Sequence, residues 1–147
     1  MVRVISFGLM FLLFIQISLA AAAEHPVGFF KTVTGVVKVI RGDTNISVTP
    51  GIKFHAGDTI STASASSAGM VFDDGTVLTL GAGTELEIMN YVFQPEDKQY
   101  DFSLFMKRGE MIYHSGKLSK LAPEKVNLET PRATVGVRGT RFILAVK

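Results

Sequence analysis

The sequence predicts an all-β domain, and three observations carry that reading. Short runs rich in β-branched and aromatic residues recur at roughly 8–12 residue spacing, separated by clusters of Gly, Pro, Asn and Asp. Where a run is long enough, apolar and polar residues alternate with period two, the mark of a half-buried antiparallel strand. Beyond the N-terminal leader, no window of about a dozen residues keeps a helical period. The strands are expected to stack as a two-sheet sandwich or as a compact β-solenoid-like wrap, and the pattern leaves both open.

Taken in chain order, the first clear run is Val36–Ile40, followed by the turn Arg41-Gly42-Asp43 and a second run, Ile46–Val48. Gly57-Asp58 marks a reversal. Gly69–Phe72 and Val77–Leu80 flank Asp74-Gly75, the strongest hairpin signal in the chain, where Gly supplies the positive φ such a turn needs. In the next run, Glu85–Phe93, carboxylates occupy one face of Glu85-Leu86-Glu87-Ile88 and aliphatic side chains the other. Asp101–Met106 has a wholly apolar face at Phe102, Leu104 and Met106, and Met111–His114 follows. A turn of helix fits near Ser119–Glu124, before the last runs, Val126–Leu128 and Arg141–Val146. All five prolines fall between runs, as ladder hydrogen bonding requires.

The first two dozen residues set the expected compartment. Arg3 is the one charge before Glu24, and between them an apolar run from Val4 to Leu19 leads into Ala20-Ala21-Ala22-Ala23. A basic start, an apolar stretch below spanning length and a small-residue site form a secretory signal pattern. Residues 1–23 are thus expected to be a cleaved leader, with cleavage after Ala23 and with Ala20 and Ala22 also fitting. Residues 24–34 read as an N-terminal extension and 35–147 as the β domain. No stable membrane insertion is expected once the leader is removed, and the location is periplasmic or secreted.

The chain has 147 residues, 47% of them hydrophobic and 19% charged, which suits one domain with a real core. With no cysteine, disulfides, thiolate metal sites, cysteine nucleophiles and lipoprotein lipidation are excluded. The formal charge of +2 does not argue for nucleic acid, and no nucleic-acid partner is expected. Charge is unevenly distributed, however. Glu24 to Met106 carries five basic and ten acidic residues, whereas Lys107 to Lys147 carries nine and three. Either the two halves lie together and pair charges across strands, or a basic face meets an anionic surface.

Constellations that suggest chemistry are weak. His55, Asp58 and Ser61 lie close in sequence, but a nucleophilic triad also needs a buried orienting acid and an oxyanion hole, for which nothing argues. His25 and His114 are too scattered to form a ligand cluster with His55. Asp73-Asp74-Gly75-Thr76 offers two adjacent carboxylates, where a calcium loop spreads its oxygens over a dozen positions, so it reads as a turn. Glu85 and Glu87 would sit about 7 Å apart on one exposed strand face, a solvated pair rather than a glycosidase pair. Asn45-Ile46-Ser47 matches a glycosylation sequon, meaningful only in a eukaryotic secretory pathway. The chain reads as non-enzymatic, with no cofactor and no metal.

The most distinctive stretch is Thr130-Pro131-Arg132-Ala133-Thr134-Val135-Gly136-Val137-Arg138-Gly139-Thr140-Arg141-Phe142. It resembles the closing strands of the FecR domain, which carry a Thr-Pro-x-Ala-x-x-Gly-Val-Arg-Gly-Thr-x-Phe pattern. Two upstream blocks agree in order and spacing: Gly57-Asp58-Thr59-Ile60-Ser61-Thr62 and Phe72-Asp73-Asp74-Gly75-Thr76. The resemblance spans about Gly35 to Val146. The family-motif residues are therefore Gly57, Asp58, Asp74, Gly75, Thr130, Pro131, Gly136, Arg138, Gly139, Thr140 and Phe142, read as structural. Gly136 and Gly139 bracket Val137-Arg138 and permit a sharp bend or bulge there. If Arg138 points inward it needs a carboxylate. The family blocks suggest Asp58 or Asp74, and a structural Arg138–carboxylate contact is expected.

The resemblance implies a periplasmic interaction or sensing role. The family is named for a sensor that hears from a TonB-dependent outer-membrane receptor and signals across the inner membrane to a sigma factor. This sequence departs from that plan, with no anti-sigma segment ahead of its apolar run and a leader in place of a transmembrane helix. What is expected to carry over is a binding or sensing module whose partner is another envelope protein, engaged by strand pairing or surface contact. Two other functions compete. A cell-wall glycan or carbohydrate module would need an exposed aromatic platform, for which Tyr91, Phe93, Tyr100 and Tyr113 are available. A structural envelope protein would assemble through exposed strand edges.

Overall fold

The computed structural model describes residues 24–147, and the expected leader lies outside the described residues. Among the described residues twelve strands form: β1 (Gly28–Thr34), β2 (Val37–Arg41), β3 (Thr44–Ser47), β4 (Lys53–Phe54), β5 (Thr59–Thr62) and β6 (Ser67–Phe72). They continue with β7 (Val77–Leu80), β8 (Glu85–Gln94), β9 (Gln99–His114), β10 (Val126–Glu129), β11 (Thr134–Gly136) and β12 (Arg141–Val146). A single α-helical turn, α1 (Lys117–Leu121), and a 3-10 turn at Pro123–Lys125 separate β9 from β10. The chain is mostly β, as its alternation predicts.

All twelve strands belong to one sheet, ordered β3-β2-β5-β8-β9-β7-β6-β1-β4, which curls into a half-barrel. β10 adds beside the first part of β9 in parallel and β11 adds beside β10, while β12 adds antiparallel to the last part of β9. Every other pairing is antiparallel.

The long strand β9 is the spine of this arrangement. Its first part pairs with β8 and β10, and its last part, Gly109–His114, pairs with β7 and β12. Between them Lys107 is an extra residue, because Glu85 faces Arg108 while Leu86 faces Met106. Gly109 follows with φ +104°, and a Cβ there would run into Thr84. The Thr84 hydroxyl accepts the Glu110 N–H and donates to the Glu110 carbonyl, both at 3.1 Å, which pins the corner. The polar segment Lys107-Arg108-Gly109-Glu110, which reads as a gap between two strands, is the bulged corner of a single one.

Residues 24–34, set apart as an extension by the sequence, supply β1, which lies between β6 and β4. Register slips between Phe30 and Thr32, so the strand lacks the clean alternation by which strands are recognised. Phe30 is nevertheless fully buried.

The concave side of the sheet is filled by apolar side chains from almost every strand. Aromatic rings run through the middle. The Phe72 ring lies 4.9 Å from Phe54, 5.2 Å from Tyr91 and 4.7 Å from Phe102. At one end Phe30 meets Phe54 at 5.3 Å, and at the other Phe142 stacks on Tyr113 at 4.9 Å. Buried rings of this size each contribute roughly 2–3 kcal/mol of transfer free energy, plus edge-to-face preference between neighbours. Leu118 of α1, fully buried, joins the same core.

Candidate functional site

Two of the three sequence blocks each bury a carboxylate, and each carboxylate has its own partners. Asp58 precedes β5, after Gly57 turns the chain with φ +86°. Arg41 grips it with two parallel bonds, Nε to Oδ1 and Nη2 to Oδ2, both 2.7 Å. The backbone N–H of His55 adds a third at 2.8 Å. This fork geometry is the strong form of the ion pair. The carboxylate beside it raises the pKa of Arg41, first by the hydrogen bond. Arg41 was legible only as a turn residue. Its position two beyond Val39 and four beyond Val37 does place it on the buried face of β2, and that is the signal that could have found it.

Asp74 sits in the hairpin between β6 and β7. The hairpin is closed by Gly75 N–H to Phe72 carbonyl and Phe72 N–H to Thr76 carbonyl, both 2.9 Å, with Gly75 at φ +85°. The carboxylate accepts four bonds: Thr76 N–H at 3.1 Å, Thr76 hydroxyl at 2.8 Å, Tyr91 hydroxyl at 3.0 Å and Leu118 N–H at 3.0 Å. No cation takes part among the described residues. Asp74 therefore ties the hairpin to β8 and to the start of α1 with hydrogen bonds alone. Gly116 closes over it so tightly that a Cβ would overlap Thr76 and Asp74. Burial, and then the negative charge of Asp74, raise the pKa of Tyr91 far above the tyrosine range.

The closing block does not reach either carboxylate. Arg138 is exposed and makes no ion pair among the described residues, so the expected Arg138–carboxylate contact is not formed. Two physical reasons account for this. Val137 is the buried residue of the pair, which turns its neighbour Arg138 outward, and both carboxylates are already filled by nearer donors. The remaining motif residues serve turns and packing. The Thr130 hydroxyl accepts Arg132 and Ala133 N–H groups at 3.3 and 3.0 Å across the exposed Pro131 turn. Gly136 faces Asn127 across β11 and β10, and Gly139 adopts φ +145°. The Thr140 carbonyl accepts Ser115 N–H at 2.9 Å, and Phe142 stacks on Tyr113.

The other candidates are placed as follows. His55 Nδ1 lies 3.9 Å from Asp58 Oδ2, buried and without a hydrogen bond, while Asp58 is occupied by Arg41. Ser61 lies on β5 opposite Glu85 and Lys38. Glu85 pairs with Lys107 at 3.2 Å and Arg108 at 3.4 Å, on the exposed face. Asp73 is exposed beside Asp74, and partial burial raises its pKa. Among the described residues, no group of His, Asp and Glu is placed to hold a metal ion, and no helix is long and apolar enough to cross a membrane. Of the four aromatic residues available for a platform, Tyr91 and Tyr113 are buried in the core, and Phe93 and Tyr100 pack against it.

The fold is thus a curled β domain in which two of the three signature blocks are turns locked by buried carboxylates. The profile of the family described as FecR protein matches residues 58–147, and the chain belongs to that family. Comparison with curated proteins and with solved structures returned no match.

Proposed function

We propose that the chain is an exported, non-enzymatic FecR-type module that binds another envelope protein in a signalling or interaction role, in the periplasm. The observation that carries this is the family match over residues 58–147. Supporting it, the family-block carboxylates Asp58 and Asp74 are consumed by the architecture, which leaves the exposed cations of the closing segment available for a partner. In this reading the two parts of the curled sheet, joined through β9, pack as a sandwich around the aromatic core.

The glycan reading is weaker, because two of its four platform residues are core residues. Expression of the full chain, fractionation, and affinity capture of the processed protein from cross-linked envelopes test the proposal, alongside sedimentation with purified peptidoglycan. A discrete envelope protein in stoichiometric amount, with no sedimentation, is the expected result. Retention in the cytosol, or sedimentation with the wall and no protein partner, would overturn it.

A further inference from the structure

We propose that the outer edge of β12 is the docking strand of this protein, and that its occupant is an extended protein segment alternating apolar and acidic side chains. The inference rests on the envelope-protein reading above and adds to it the place, the backbone mode and the chemistry of the partner.

The hydrogen-bond phase of β9 defines which groups are open. Ser115 N–H donates to the Thr140 carbonyl on the β12 side, and Gly81 N–H donates to the Glu110 carbonyl on the β7 side. Continuing each register, Met111 and Tyr113 of β9 bond toward β12, and Glu110, Ile112 and His114 bond toward β7. Across the ladder, Phe142, Leu144 and Val146 of β12 therefore spend their backbone groups on β9. Arg141, Ile143 and Ala145 direct theirs outward, where no further strand pairs with β12 among the described residues. At six residues β12 is the longest edge strand, against four in β3, three in β11 and two in β4. Edges that are merely shielded are short or carry charge or proline, and on β12 charge is confined to Arg141 at one end and Lys147 just beyond the other. Here the centre is Ile143, 62% exposed.

Side-chain chemistry on the two faces of β12 sets what the added strand must look like. On the inner face a groove of about 180 Å³ runs between β12 and β11, with Val135, Leu144 and Val146 among its walls. Arg132 and Lys147 also line this groove, while Arg141 stands with Ile143 on the outer face; these three cations and Arg138 are exposed and make no ion pair among the described residues. No acidic residue occurs from Thr130 to Lys147. A strand added at this edge places alternate side chains against the apolar wall of the groove, formed by Val135, Leu144 and Val146, and the others beside Arg141 on the outer face, so apolar and acidic residues alternate. Charge also argues against a second copy as occupant. Pairing two β12 edges about Ile143 brings two sets of these cations to one seam, where like charges oppose each other.

The test uses the processed protein purified from the envelope and three capped ten-residue peptides. One alternates Glu and Val, one alternates Lys and Val, and one is the Glu peptide with N-methyl groups along a single edge. The Glu peptide should bind at least about tenfold more tightly than either other peptide, with affinity falling about tenfold between roughly 50 and 300 mM salt. Amide exchange at Arg141, Ile143 and Ala145 should slow on binding. Ile143→Pro removes an outward N–H without touching the β9 ladder, and should cost about tenfold while the fold is retained. R138E/R141E should invert the preference to the Lys peptide.

Equal binding of the Glu and N-methyl peptides would show attraction without strand pairing and overturn the proposal. So would competition by anionic glycan at equal charge, or protection of the β12 edge by self-association without peptide. The captured envelope partner separates the two readings. Its equal capture by wild type and Ile143→Pro sinks the β12 edge and leaves the module reading intact. If wild type captures no envelope protein, the module reading itself fails.

Discussion

Asp58 and Arg41 are unequal partners, and the inequality predicts how each responds to loss of the other. The Arg41 side chain is 38% exposed and can turn into water, whereas that of Asp58 is 1% exposed and cannot. Arg41→Ala should therefore leave a buried carboxylate with one backbone donor, at a cost of about 2–3 kcal/mol once the partial solvation of the guanidinium is allowed for. Replacing both, as Arg41→Met with Asp58→Leu, should recover much of that loss. Denaturant midpoints of the three proteins check this, and a double variant no more stable than Arg41→Ala would refute it. For Asp74 the expectation is different, since its four donors are N–H and O–H groups of the fold itself. Asp74→Asn turns an amide N–H toward at least one of those donors and should cost about 2–4 kcal/mol, with Gly75 and the hairpin sequence unchanged. At this scale the sequence revealed which acids matter, through the Gly-Asp and Asp-Gly blocks, but not what they bind. Arg41 and Tyr91 lie far along the chain from their partners, and pairing across a curled sheet is a property of register, which single-residue patterns do not encode.

Strands set off by turn residues are legible almost to the residue. Val77–Leu80 coincides with β7, bounded by Gly75 and Gly81, and Arg141–Val146 coincides with β12, which Gly139 sets off from the run before it. What escaped is irregular. β1 is masked by its slip at Phe30, β4 has two residues, and β11 has three inside a glycine-rich block. The corner of β9 reads as a break in the sequence because an exposed bulge is polar on both faces, as a loop is. That corner makes the sharpest prediction at the scale of an element. Gly109→Ala forces a side chain into φ +104° and into Thr84, and should destabilise by at least about 2 kcal/mol. Gly136→Ala meets nothing within 4 Å and should stay within about 0.5 kcal/mol of wild type. Thermal melts of the two variants measure the contrast. Comparable losses would mean that the corner does not depend on glycine.

The two parts of the curled sheet are joined by the covalent run of β9 and, across the core, by the bonds between Tyr91 on β8 and Asp74 on the β6–β7 hairpin. The Tyr91 hydroxyl both donates to the Asp74 carboxylate at 3.0 Å and accepts the Asp74 N–H at 2.9 Å. Its pKa is raised by burial first and by the Asp74 charge second, and burial raises Tyr113 as well. Both groups are therefore held neutral in the fold, while in the unfolded chain they ionise near pH 10 or about that. The sign follows from proton release. Below about pH 10 neither state loses these protons and stability is whole. Above it the unfolded chain binds fewer protons than the fold, so stability falls as pH rises toward the folded-state values. Because the Tyr91–Asp74 bonds span both parts, that loss should come as one cooperative transition, reported alike by amides of β2 and of β6. Tyr91→Phe should lower stability at neutral pH by about 1–3 kcal/mol, since it strips a donor from Asp74 and an acceptor from its N–H. It should also flatten the alkaline decline, leaving the share due to Tyr113. Denaturant titrations across this range, read at both ends of the sheet, decide the matter. An alkaline decline as steep in Tyr91→Phe as in wild type would show that the buried hydroxyl does not couple the two parts.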